Sequence, residues 1–268
     1  MSTAAKLLLI GGTGLIGSAV ARQASSYNIL VLSRTGAPLT SSTLSLNIQY
    51  YKGSALDPFT FRSLLTNTST VVHTVGTIAN QKNYGDQGTY EKLNRDAVVT
   101  VARELAASAA DEGKKKCLVY FSAASAPPGW ILDKRYIGTK REAEKILMGD
   151  EFKDQLRVVI FRPGWPELWQ YYEFRYRCLP ACSPLTTDCH EYPFVVPIAF
   201  GAIFASVLFS PFKSHIPDSL TFLTDRPVSD KVVSKAVLRA VEQEDVEGVV
   251  DIAKIQELAL EWSKVHRK

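Results

Sequence analysis

The order of apolar and helical stretches along this 268-residue chain predicts an α/β fold with a doubly wound parallel sheet. Three observations predict it. Short apolar runs of the kind used in strands buried on both faces recur from Leu7 to Phe161. Helical patterns lie between them. The first run passes straight into a glycine-spaced turn and a helix.

Leu7 to Ile10 is the first strand, and Leu15, Ile16, Ala19 and Val20 give the helix that follows its apolar side. Ile29 to Leu32 is the second strand, Ile48 to Tyr51 a weaker third, and Val71 and Val72 begin a fourth. A long helix then runs from Tyr90 to about Ala109, with Leu93, Val98, Val101, Ala102 and Leu105 on one side. Val119 to Phe121 is the fifth strand. A helix from Asp133 to Met148 follows, with Gly149 placed to cap it, and Val158 to Phe161 is the sixth strand. Right-handed crossovers wind these units on both faces of one sheet.

The rhythm breaks after Arg162. Residues 163–227 are rich in proline and aromatics, including Trp165, Trp169, Tyr171, Tyr172, Phe174 and Tyr176. Ser229 then caps a helix ending near Gln243. Gly248, a strand from Val249 to Ile252 and a terminal helix complete the chain. The expectation is one domain over residues 1–268, with 163–227 as an insertion forming a small substrate-side lobe.

Composition is that of a globular chain, 46% hydrophobic and 22% charged, long enough to bury a full core. Thirty-one basic against 27 acidic residues leave a net charge of +4, which does not point to nucleic acid. The run Lys114 to Lys116 reads as a solvated loop before a strand. Cys117 opens an apolar run and reads as a buried thiol. Cys178, Cys182, Cys189 and His190 are the one candidate metal set, but their spacing lacks the short pairs of zinc sites, so no metal is expected. Only five residues precede the first strand, too few for a secretory or transit sequence. That pattern fits a cytoplasmic chain, one whose presequence has been removed, or one imported by another signal.

Gly11, Gly14 and Gly17 form G-x-x-G-x-x-G between the first strand and first helix. Glycine allows the tight turn and close approach to a pyrophosphate, and the helix N-terminus directs N–H groups at it. Thr13, Leu15 and Ile16 complete this loop. At the end of strand two, where an NAD site carries Asp or Glu, stand Ser33 and Arg34. An arginine fork suits a 2′-phosphate, so NADP(H) is the preferred cofactor and NAD(H) the alternative. Tyr136 and Lys140 form Y-x-x-x-K on one face of the helix after strand five. There a lysine can hold the nicotinamide ribose and lower the phenol's pKa for proton transfer. Arg141, Glu142 and Glu144 read as solvated helix charges.

These motifs together resemble the short-chain dehydrogenase/reductase family, particularly its atypical and extended members. The likeness rests on G-G-T-G-L-I-G at 11–17, V-V-H-T-V-G at 71–76, Asn94, L-V-Y-F-S-A-A-S at 118–125, Tyr136 with Lys140, and R-P-G at 162–164. It implies a Rossmann-type fold. It also implies that the segment 74–77, with Val75, Gly76 and Thr77, lines the adenine ribose, that Asn94 supports the active site, and that Pro163 and Gly164 lie near the nicotinamide. One departure stands out. The family's catalytic serine slot holds Ala123 or Ala124 here, flanked by Ser122 and Ser125, either of which reaches it only by a shift in register.

Within the family, R-Y-I-x-x-K-R-x-A-E at 135–144 looks like one branch. That branch holds the nucleotide-binding accessory subunit of respiratory complex I and a fungal mitochondrial accessory protein of coenzyme Q biosynthesis. The resemblance implies a mitochondrial location at the matrix face of the inner membrane and a multi-subunit complex at that surface. Phe194 to Phe212 contains no charged residue, is marginal for a span, and is interrupted by Pro197 and Gly201. It reads equally as a core helix of the small lobe or as an apolar groove for a quinone or lipid. Three readings stand together: an NADPH-dependent oxidoreductase on a hydrophobic, quinone-like substrate, a non-catalytic NADPH-binding assembly subunit, and a soluble NADP(H) sensor.

Overall fold

The computed structural model describes residues 5–37, 47–108, 114–164, 225 and 228–266. Among them, strands β1 (Lys6–Ile10), β2 (Asn28–Ser33), β3 (Ile48–Lys52), β4 (Thr70–His73), β5 (Lys116–Phe121), β6 (Leu156–Phe161) and β7 (Gly248–Val250) form one sheet. Its order is β3-β2-β1-β4-β5-β6-β7. Every pairing is parallel, with Leu7 beside Ile29 and Thr70, and Tyr120 beside His73 and Ile160. The helices are α1 (Leu15–Gln23), α2 (Ala97–Ala107), α3 (Arg135–Leu147), α4 (Asp230–Glu242) and α5 (Ile252–Val265).

The continuous apolar runs follow from burial on both faces. Leu7, Leu9, Ile29, Val31, Val72, Val119 and Val159 pack in one core with Val20 of α1, Val233 and Val237 of α4, and Ile255 and Leu258 of α5. The alternate residues Leu8, Ile10, Leu30, Leu32, Val71, Leu118, Val158 and Ile160 pack in the other with Val98, Val101 and Leu105 of α2 and Ala143 and Leu147 of α3. Each such side chain, fully buried, stabilises the fold by about 1.5–3 kcal/mol. The weaker pattern of β3 has a place in this scheme: it is the sheet edge, and none of its residues is fully buried.

Several boundaries differ from the sequence expectation. The long helix begins as a π-helical turn, Glu91–Asp96, before α2, with the Ala97 N–H bonded to Lys92 O five residues back. The strands extend a residue or more beyond their apolar runs because ladder bonding continues past the apolar side chains. Lys116 is not a loop residue: it lies in β5, buried, and its ammonium donates to Ser108 Oγ at 2.7 Å. Gly149 does not take the left-handed cap conformation, and α3 ends through Met148 instead. The last strand stops at Val250 because Asp251 turns to cap α5, its Oδ1 accepting from Lys254 N–H at 2.9 Å. Ser229 caps α4 as expected, accepting from Val232 N–H at 3.2 Å. Among the described residues no helix is long and apolar enough to cross a membrane. The aromatic cluster from Trp165, the Cys178–His190 set and the apolar stretch 194–212 lie outside the described residues.

Candidate functional site

The expected site residues from the first half of the sheet gather at the carboxyl ends of β1, β2 and β4. Gly11 takes φ +82°, a region side chains disfavour, and its N–H donates to Leu32 O at 2.9 Å. Gly14 N–H donates to Gly11 O at 2.9 Å, closing the turn that carries Thr13. A Cβ on Gly17 would lie 2.5 Å from Gly11 O and 2.6 Å from the Gly12 Cα, so α1 can approach the turn only with glycine there. Gly14 is the N-cap of α1; no side chain caps this end and no acid stands in its first turn. The N–H groups of Leu15, Ile16 and Gly17 thus form an end suited to an anion.

Two residues inside the 11–17 and 71–76 motifs, neither read from the sequence as shaping this turn, do so. Gly12 packs against β2, where a Cβ would meet Val31 at 2.8 Å. Thr74, inside the V-V-H-T-V-G motif, donates its hydroxyl to Ile10 O and Gly11 O, both at 3.0 Å, tying the top of β4 to the glycine turn. A polar residue one place beyond a buried strand was the available signal.

At the end of β2, Ser33 is buried and its hydroxyl accepts from Gly36 N–H at 3.1 Å, holding its own turn. Arg34 is exposed, and its guanidinium carbon lies 4.1 Å from the Tyr84 ring centroid.

Asn94 sits fully buried in the π-helical turn. Its side chain clamps the Thr77 backbone from both sides, accepting from Thr77 N–H at 2.7 Å and donating to Thr77 O at 3.0 Å. Its own carbonyl accepts from Tyr120 OH at 2.7 Å. A Cβ on Gly76 would come within 3.1 Å of Asn94 Oδ1 and 3.3 Å of Lys140 Nζ, so the segment Val75–Thr77 runs against both. Lys140 is buried and donates to Phe121 O at 2.8 Å; its Nζ lies 5.7 Å from the Tyr136 ring centroid. Burial pushes Lys140 down to about 8. Burial pushes the Tyr136 phenol up to about 12, against the pull of the Arg141 charge, rather than down as the sequence pattern suggested. The phenol therefore holds its proton across the neutral range.

Both flanking serines are engaged. Ser122 Oγ accepts from Arg141 at 3.0 Å and also hydrogen-bonds Glu144. Ser125 donates to the Asp225 carboxylate through a short contact. Ala123 is buried between them, and Ala124 N–H donates to Pro163 O at 2.9 Å, which fixes Pro163 beside this loop ahead of buried Gly164. Glu144 corrects another expectation, because it is buried rather than solvated. Burial pushes its pKa up, yet hydrogen bonds from Arg162 and Ser122 and the charges of Arg141 and Arg162 hold it below the usual carboxylate range. Arg162 Nε reaches it at 3.0 Å and Arg141 at 2.5 Å, while Arg141 also donates to Ala123 O and Ala124 O. Residue 144 lies four places after Lys140 and three before Leu147, on the buried face of α3; Arg141 pairs with it from the same helix, and Arg162 and Ser122 from beyond β6 and β5. Among the described residues no group of three side chains could hold a metal.

No family model matches the chain. It is 25% identical to MIOREX complex component 2 of Saccharomyces cerevisiae, over 93% of this chain and 98% of that protein. It is also 26% identical to an uncharacterised chloroplastic protein of Arabidopsis thaliana, over 60% of this chain and half of that one. The enzyme WbmF of Bordetella bronchiseptica, solved with NAD+, superposes with a TM-score of 0.56 at 14% identity, covering 98% of this chain and 78% of its own. UDP-glucose 4-epimerase of Thermus thermophilus, solved with NAD, gives 0.55 at 15%, covering 98% and 84%. A short-chain dehydrogenase family protein of Francisella tularensis gives 0.57 at 15%, covering 93% and 97%. With a seven-stranded parallel sheet, a glycine turn on β1 and a Y-x-x-x-K helix after β5, the chain has the fold of the extended short-chain dehydrogenases and epimerases.

Proposed function

We propose that this chain binds NADP(H), with the pyrophosphate on the Gly11–Gly17 turn, the 2′-phosphate at Arg34 and the nicotinamide ribose at Tyr136 and Lys140. The observation that carries the reading is the uncapped amino end of α1, seated against Gly11 and Gly17, where a side chain would be strained or clash with backbone. Similar structures hold NAD+ or NAD in the same fold. Arg34, in place of an acid, favours the phosphorylated form over NAD(H).

We further propose a reductase acting on a hydrophobic, quinone-like carbonyl, as a mitochondrial accessory factor of ubiquinone synthesis at the matrix face of the inner membrane. NADPH supplies the hydride when bound. Tyr136, protonated at neutral pH, donates to the carbonyl oxygen. Lys140 orients the ribose and Asn94 holds the Val75–Thr77 wall. The compartment and substrate class rest on the family resemblance. The likeness to a named complex component supports a place in a multi-subunit assembly. Titration with NADPH and NADH tests the binding: saturable binding, tighter for NADPH, is expected, and no binding of either ends the proposal. Tyr136→Phe should keep binding and lose NADPH oxidation; unchanged turnover would remove Tyr136 from this role.

One observation favours a second reading, a non-catalytic NADPH-binding assembly subunit. Ser122 and Ser125 are each committed to charged partners, so neither hydroxyl stands ready for a substrate carbonyl. Tight NADPH retention without turnover on quinone intermediates would select this reading over the reductase.

A further inference from the structure

We infer that Tyr84 is a specificity-determining residue, which holds the Arg34 guanidinium over its ring for pairing with the 2′-phosphate of the bound nucleotide. This rests on the NADP(H) reading above and deepens it.

The argument begins with how arginines are used in this fold. Arg22, Arg62, Arg95, Arg103, Arg135, Arg141, Arg157, Arg162 and Arg239 each hydrogen-bond at least one oxygen. Among the described residues Arg34 makes no such bond; its guanidinium carbon sits over Tyr84, 4.1 Å from the ring centroid. A guanidinium held over a ring rather than bonded to an oxygen keeps its N–H donors unspent, and those are the donors that pair bidentately with phosphate oxygens. The stack removes the freedom of a long side chain before the ligand arrives, and so lowers the entropy lost on binding.

The placement of Tyr84 is built, not incidental. It stands on a closed loop that leaves the top of β4. Gln81 N–H donates to Gly88 O at 2.8 Å, and a Cβ on Gly88 would lie 2.2 Å from Gln81 O, so the two ends of the loop touch. Gln81 Nε2 donates to Thr77 Oγ1 at 3.2 Å, and Tyr90 OH donates to Ile78 O at 2.7 Å, tying the loop to the wall that Asn94 clamps. Gly85, at φ +50° and ψ −135°, provides the kink beside Tyr84. The aromatic side chain is 46% exposed, so no core demands it. In the sheet, β2 and β4 flank β1. The Arg34–Tyr84 stack therefore joins the carboxyl ends of the two strands on either side of the glycine turn, where the adenosine end of a dinucleotide belongs.

The test compares NADPH and NADH binding by nucleotide fluorescence in the full chain and in Tyr84→Ala, Tyr84→Phe and Arg34→Ala. An exposed cation–π stack accounts for about a 2- to 5-fold effect, so Tyr84→Ala should weaken NADPH by that factor and leave NADH within about 1.5-fold. Tyr84→Phe should restore NADPH affinity, and Arg34→Ala should erase the preference for NADPH and make Tyr84→Ala silent. Tyr84 lies at an exposed loop tip, and unchanged thermal melting of the variants confirms that they fold. Equal weakening of both nucleotides by Tyr84→Ala, or no change in either, overturns the inference while leaving the binding proposal intact. Failure of the unaltered protein to bind either nucleotide overturns the binding proposal itself.

Discussion

His73 lies at the carboxyl end of β4 with no accessible surface, and neither ring nitrogen has a hydrogen-bond partner among the described residues. Its nearest ring is Tyr120, 6.1 Å away between centroids. Burial first, and the charge of Lys140 second, push the imidazole down to about 3. An unfolded histidine binds its proton near pH 6.5. Between those values the unfolded state holds more protons than the folded one, so stability falls as the solution is acidified. His73 alone should account for about 2 kcal/mol of lost stability by pH 5. Urea denaturation at pH 7 and pH 5 measures this, and His73→Leu should flatten the difference. A variant as acid-sensitive as the parent would refute the assignment. Residue 73 thus acts through what it lacks, whereas Thr74 beside it acts through two hydroxyl bonds to the glycine turn.

The elements that carry the site are coupled by side chains rather than by their own propensities. Helix α3 starts after Asp133, whose Oδ1 accepts from Arg135 N–H at 2.9 Å, and its inward charge, Glu144, links it to Arg162 after β6 and to the β5 loop through Ser122 and Arg141. Removing one partner of a buried ion network costs about 3–5 kcal/mol when all groups are enclosed. Here the two guanidiniums are about one-third exposed, so solvent offsets part of that. Glu144→Gln should therefore destabilise by about 2–3 kcal/mol, read as a lower denaturation midpoint with an unchanged slope. A shift under about 0.5 kcal/mol, the range of ordinary surface substitutions, would make the cluster a solvated one after all. The π-helical turn before α2 is the second coupling device. By widening the helix at Glu91–Asp96 it seats Asn94 against Thr77 and hands its carbonyl to Tyr120.

For the molecule as a whole, the sheet lies between two cores. Helices α1, α4 and α5 close one face, and α2 and α3 close the other. The chain crosses from one side of β1 to the other between β3 and β4. Such a reversal leaves an opening above the strand ends, where ligands bind in open α/β sheets. A ligand filling it ties both halves of the sheet together and binds only the folded state. NADPH at a hundred times its dissociation constant should stabilise the fold by about 3 kcal/mol. For a chain of this length that is about 5–10 °C in the thermal midpoint. Equal concentrations of NADH should give a smaller rise. A midpoint that neither nucleotide moves would argue against the site.

The strand runs, the glycine turn, the Y-x-x-x-K pair and the Ser229 cap were legible in the order of residues, because each depends on neighbours within one turn or one strand. Two-sided burial makes a parallel strand apolar throughout, and a phosphate turn needs glycines at fixed spacing, so local pattern and tertiary role coincide. The tertiary structure alone decided the rest. Lys116 and Glu144 look solvated by their charge yet are buried with partners from other elements. The serines beside the alanine slot are committed by Arg141 and Asp225, the latter 100 residues away along the chain from Ser125. Tyr136 is raised, not lowered, because the cost of burying its charge exceeds the pull of the Arg141 charge. Desolvation and long-range pairing depend on what surrounds a group in space, and a one-dimensional pattern does not contain that.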